Sequence, residues 1–191
     1  MTPEQTKLAE LISLQTAELD TLASKLLQKA RLDLKEIKLN QQEVSVSQLI
    51  DRALTLKAGR LTAQQVKVST GLQNIFVRVD EELIGTAIGE FVENATKYCS
   101  AGSPIQVSAL EDDSQVLISV HNLGPVIALE DRSRIFERFY RTDAARSRKQ
   151  GGSGLGLSIC KHIIEAHGQV IHVRSKPDVG STFGFTAETT K

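Results

Sequence analysis

The sequence predicts an α+β fold: a two-layer sandwich, with a mixed β-sheet covered on one face by helices, preceded by a long N-terminal helix. Three observations predict it. Thr6 to Lys38 contains neither Gly nor Pro and carries a helical apolar spacing. Beyond about residue 60, short β-branched runs alternate with a few helical ones, which suits a helix layer on a sheet. Late in the chain, a glycine-rich stretch runs straight into an amphipathic segment.

Taken in order, Leu8, Ile12, Leu19, Leu22 and Leu26 recur at three- and four-residue steps, with Gln15 in the one polar gap. That is the seam of a coiled coil or bundle. One such helix cannot bury its stripe alone, so it needs another chain, a further segment, or its own domain to fold back on. "VSVSQLIDRALTLKAG" (44–59) reads as a second helix, capped by Ser45 or Ser47 and stopped by Gly59. "QVKVST" and "IFVRV" read as short strands, and 80–98 as a helix with Asp80 at its N-cap. "PIQVSAL" and "QVLISVHN" form strands around the turn "EDDS", and alternation points Val116, Ile118 and Val120 to one face. A helix near 131–139, a basic loop, a helix over about 155–167, and the strands "QVIHVRS" and "TFGFTAE" complete the chain.

Composition narrows the function. Of 191 residues, 23 are Lys or Arg and 23 Asp or Glu, so no global field favours nucleic acid or an anionic membrane. Cys99 and Cys160 lack metal-type spacing and read as free thiols in a reducing compartment. No stretch approaches ~20 apolar residues and no signal-peptide pattern opens the chain, so it is expected to be soluble and cytoplasmic, with no membrane contact of its own.

The stretch "RKQGGSGLGLSICKHIIEAHG" (148–168) resembles neither common phosphate loop. A dinucleotide fingerprint from Gly151 meets Ser153 at its third position, and a P-loop through Gly151 and Gly156 meets Leu157 where Lys belongs. What remains is G-x-G-x-G opening a helix, which is either an ordinary Gly-rich loop or a phosphate cradle. On the helix at 80–98, about 3.6 residues per turn places Glu90, Asn94 and Lys97 within an arc of roughly 60°, while Phe91, Val92 and Ala95 point to a core. A carboxylate, an amide and an ammonium in a row suit a magnesium–phosphate group, since nucleotide-bound magnesium needs few protein ligands. They equally suit a solvated polar face.

Together, "EFVENATKY", "VHNLGPVI", "RIFERFYR", "GGSGLGL" and "GSTF" occur in the order and approximate spacing of the histidine-kinase ATP-binding domain, in the superfamily shared with gyrase, Hsp90 and MutL-type ATPases. From about residue 45 to 187 the chain resembles that family. The resemblance implies a Bergerat-type sandwich over 44–191, and "RLDLKEIKLN" within 1–43 resembles the family's second dimerisation helix and linker. It also implies ATP and Mg²⁺ as cofactors, with Asn94 as the metal ligand. Lys97 and Tyr98 resemble phosphate or ribose contacts, and Arg141 the cation that reaches the terminal phosphate. Asn122 stands where the family usually has an adenine-reading Asp; its amide carbonyl still offers an acceptor. Gly124 matches the first glycine beside the base, and Val126 stands at the second. Ile127, Leu155 and Leu157 fall among the implied nucleotide contacts, and Thr182 close to the adenine pocket. Phe136 and Phe139 resemble the aromatic anchors of the lid. Gly152, Gly154 and Gly156 would admit phosphates to backbone amides at a helix start. Glu90 stands where many of these kinases have Asn and the ATPase branches a water-activating Glu.

No His precedes His121, so the phosphoacceptor helix is absent, and the chain is expected to be the C-terminal piece of a longer sensor kinase. Its implied partners are the His-bearing dimerisation helix of the same kinase, a response regulator, and a second copy through the N-terminal helix. Any inner-membrane anchor belongs to the rest of that protein. Two alternatives stay open: a nucleotide-binding regulatory module without transfer, and a Glu90-dependent ATPase or serine kinase of the same superfamily.

Overall fold

The structure is a computed structural model that describes residues 5–9, 12–13, 16, 38–57, 66–68, 75–142 and 153–190. The chain divides into two compact units, 1–37 and 38–191. In the first unit the described residues are helical, and most of the expected N-terminal helix and its seam lies outside the described residues.

The second unit opens on a strand that the expected boundary at 43/44 divides between the linker and the helix over 44–59. β1 (Gln42–Ser45) pairs antiparallel with β3 (Phe76–Val79), Val44 facing Val77, before α1 (Val46–Lys57) begins. Ser45 is the cap: its Oγ accepts from Gln48 N at 3.2 Å, while Gln48 Oε1 accepts from Ser45 N at 3.2 Å. This reciprocal capping box halts the helix one residue after Val44 turns into the sheet. α2 (Glu81–Tyr98) starts at Asp80, whose side chain accepts from Leu83 N.

The main sheet runs β2 (Val66–Val68), β4 (Ile105–Asp112), β5 (Gln115–Asn122), β7 (Gly180–Glu188), β6 (Ile171–Lys176) in spatial order. β2 is parallel to β4 and the other pairs are antiparallel, so the sheet is mixed. The fold is the predicted α+β sandwich. Val116, Ile118 and Val120 are buried together, and Val120 lies opposite Phe183, which stacks on Phe91 of α2 at 6.0 Å between centroids. α2 thus rests on the sheet. α4 (Gly156–Ala166) lies beside α2, with Cys160 Sγ donating to Ala87 O at 3.4 Å. His167 ties the two helices further: its Nε2 accepts from Asp80 N at 3.0 Å, and Nδ1 faces Ile163 O at 2.7 Å.

The helix expected over 131–139 is shorter. α3 (Asp131–Arg134) ends at Ile135, and Phe139 adopts φ +60, which no helix continues through. The chain folds back instead, with Tyr140 Oη donating to Asp131 and its ring under Arg134 at 4.3 Å. Among the described residues no helix is long and apolar enough to cross a membrane.

Candidate functional site: a cleft between two helices and the sheet edge

A cleft opens where α2, the end of β5, the 131–142 segment and the start of α4 meet. Pro125, Val126, Ile127, Ile135, Leu157 and Phe183 form its apolar wall. Asn94, Tyr98, Asn122, Tyr140, Arg141, Thr142 and Ser181 supply polar groups. A mostly apolar concavity with a few aimed polar atoms is the usual form of a nucleotide-sized site.

Of the residues singled out from sequence, Asn94, Tyr98, Asn122, Ile127, Arg141 and Leu157 line this cleft. Asn94 is half-buried, and among the described residues its side-chain amide makes no hydrogen bond. Asn122 is buried; its Nδ2 donates to Leu123 O at 3.3 Å, and among the described residues its Oδ1 accepts nothing. The Asn94 amide and the Asn122 oxygen are therefore open to a ligand. Gly124 abuts Tyr98: a Cβ there would lie 2.2 Å from Tyr98 O.

Glu90 and Lys97 do not line the cleft. Lys97 Nζ sits 2.7 Å from Glu93 Oε1, and Glu90 Oε1 sits 3.0 Å from Lys57 Nζ. Gly156 meets Glu90 closely: a Cβ would fall 2.4 Å from Glu90 Oε2, so the first residue of α4 has to be small. Gly154, at φ +69, lies against the Phe139 backbone, and Phe139 N donates to Gly154 O at 3.1 Å. The bond joins the described stretch that ends at 142 to the one that begins at 153, and Gly152 lies outside the described residues. Phe136 is half-buried and outside the cleft wall; Phe139 is exposed; Leu155 is wholly buried in the core.

Thr182 points away from the cleft. It faces His121, whose Nδ1 is 3.0 Å from its Oγ1, on the opposite side of the sheet from the helices. The cleft residues of β7 are its neighbours Ser181 and Phe183, paired with Asn122 and Val120. The alternation of β7 was the signal that identifies them. Tyr140, Thr142, Ile135 and Pro125 also went unassigned.

Burial pushes the Cys99 thiol up, against a smaller downward pull from the Leu123 backbone, so this thiol stays protonated at neutral pH. Neither Cys99 nor Cys160 forms a disulfide. Among the described residues no three His, Cys, Asp or Glu side chains gather to hold a metal, so a cation in this cleft would need oxygens from a ligand.

A two-layer sandwich with a cleft between a helix face and a glycine-led helix start defines a nucleotide-binding class of ATPase fold. Residues 79–191 match the model of the histidine kinase-, DNA gyrase B- and HSP90-like ATPases, and the chain belongs to that family. It is similar to the sensor-like histidine kinase SenX3 of Mycobacterium tuberculosis, 36% identical over 178 residues, covering 93% of this chain and 43% of that protein. Sensor protein SrrB of Staphylococcus aureus is 32% identical over 176 residues, 88% of this chain and 29% of that one. The chain thus spans less than half the length of these relatives. Among solved structures, full-length ShkA in complex with AMPPNP matches with a TM-score of 0.80 at 26% identity, over 100% of this chain and 40% of that one. Histidine kinase ThkA in complex with the response regulator protein TrrA matches at 0.77 and 25%, over 100% of this chain and 53% of that chain.

The Gly124 contact yields a prediction. Gly124→Ala drives a methyl into the Tyr98 carbonyl and displaces the cleft wall, costing about 1–3 kcal/mol of stability. Thermal unfolding should show a lowered midpoint, and ATP affinity should fall with it.

Proposed function

We propose that residues 44–191 are the catalytic ATP-binding domain of a two-component sensor histidine kinase, and that residues 1–43 are its second dimerisation helix and linker. The observation that carries this reading is the convergence of Asn94 from α2, Asn122 from β5 and Leu157 from α4 on one cleft. The Asn122 oxygen is free to accept the adenine amino group, and the surrounding aliphatic wall suits the base. Asn94 offers an unengaged amide oxygen to a magnesium ion, whose ligand shell the phosphates would complete. Once bound, that ion supplies neutralisation of the phosphate oxygens.

The remaining work falls to the chain. Arg141 and Lys97 spread the negative charge of the transferred group. Little covalent chemistry is asked of the protein; it orients and neutralises. By likeness to SenX3, SrrB and ThkA, the nucleophile is an imidazole on another helix and the later acceptor belongs to a response regulator. The N-terminal helix would bring two copies together. Glu90 is read as an organiser of α2 and α4: its carboxylate is paired with Lys57 and set against Gly156, which leaves it ill placed to activate water.

The test is transfer in trans. Incubating the chain with MgATP and a separately made helical hairpin carrying the phosphoacceptor His of a sensor kinase should yield acid-labile phosphohistidine, absent with Asn94→Ala. Tight ATP binding without any transfer would favour the regulatory module, and phosphate release abolished by Glu90→Gln would favour the ATPase.

A further inference from the structure

α1 and α2 pack through two glycines four residues apart, Gly85 and Gly89. A Cβ at Gly85 would stand 3.0 Å from Arg52 Cδ, and one at Gly89 would stand 3.1 Å from Lys57 Cε. The missing side chains leave a channel along α2 for the two aliphatic stems. Through it the Lys57 ammonium reaches Glu93 Oε2 at 2.7 Å and Glu90 Oε1 at 3.0 Å. Glu93 then offers its other oxygen, Oε1, to Lys97 at 2.7 Å. Two lysines and two glutamates form one chain of charge, with side-chain exposures of 18% for Lys57, 8% for Glu90, 5% for Glu93 and 30% for Lys97.

Lys97 is thus the most exposed member of this chain of ion pairs, one turn from Asn94. Burial lowers the Lys57 pKa, but Glu90 and Glu93 outweigh it and raise the ammonium above its ordinary value. Its stabilising contribution is therefore full below the ordinary lysine value and is lost only as pH rises through the raised one. At neutral pH Lys57 is charged.

We propose that Lys57 is a positioning residue for the nucleotide phosphates: by holding one oxygen each of Glu90 and Glu93, it leaves Lys97 able to turn from Glu93 to the triphosphate. The proposal rests on the nucleotide reading above. Without Lys57, Glu93 loses the ammonium on its Oε2, and one positive charge is removed from beside the phosphates. A buried carboxylate stripped of one ammonium holds Lys97 harder. The penalty grows with the number of phosphates and spares the base.

The experiment is titration of the full chain with ATP, ADP and adenosine in the presence of Mg²⁺. Lys57→Met should weaken ATP about tenfold, ADP less, and adenosine less than about twofold. Glu93→Gln releases Lys97 and adds net positive charge, so it should tighten ATP by about threefold. The double variant offsets one charge change with the other and should return ATP affinity toward wild type. A parallel loss of ATP and adenosine in Lys57→Met, or a weakened ATP affinity in Glu93→Gln, would overturn the proposal as a packing effect. If Lys57→Met does not fold, the sign of the Glu93→Gln effect decides alone. A wild-type chain that binds adenosine but shows no added affinity for ATP removes the nucleotide reading and this proposal with it, a result distinct from normal ATP binding with unaltered variants.

Discussion

Asn94→Ala is expected to weaken MgATP binding on the order of 100-fold, a loss of about 2.7 kcal/mol, while adenosine affinity stays near wild type. The side-chain amide lines the cleft and bonds to no described residue, so its removal breaks nothing within the fold. Alanine also has the better helix propensity. Stability without nucleotide should therefore change by no more than about 0.5 kcal/mol, the usual range for a substitution away from the core. Calorimetric titration and thermal unfolding check the two halves. Equal losses for ATP and adenosine would mean that Asn94 shapes the base pocket instead.

Phe91→Ala should act in the opposite way, through stability first. Phe91 is 1% exposed and stacks on Phe183 with an interplanar angle of 26°. Truncation leaves a cavity under the cleft and costs about 3–5 kcal/mol, against a total for a domain of roughly 5–15 kcal/mol. Phe183 also lines the cleft, so any protein that still folds should lose affinity for adenosine and ATP alike. Denaturant unfolding measures the first effect. Phe91→Leu, closer in volume, should lose less than about 1.5 kcal/mol.

The contrast between what was legible in the sequence and what was not follows the range of the interactions. α2 was readable because Asp80 caps it and its apolar period is unbroken; the β4–β5 hairpin was readable from alternation. Both signals are local. β1 was missed because its four residues pair with β3 from 31 to 37 positions later in the chain, and the capping Ser45 at its end drew the helix boundary to Val44. The 131–139 segment has helical residues, yet the tertiary bond from Tyr140 to Asp131 turns it back. In the cleft, motif order located the right stretch of β7 but not its face, so Thr182 was named where Ser181 and Phe183 line the wall. Lys57 left no trace in any motif. Its partners lie 33 and 36 residues away, and only the packing of α1 on Gly89 brings them together.

The central claim is that the amide face of α2 and the glycine-led start of α4 enclose one magnesium–triphosphate. Calorimetric titration of the chain with ATP, once with Mg²⁺ and once with a chelator, measures this most directly. The account predicts saturable one-to-one binding that weakens at least about tenfold without the cation. Binding of equal strength under both conditions, or none under either, would contradict it.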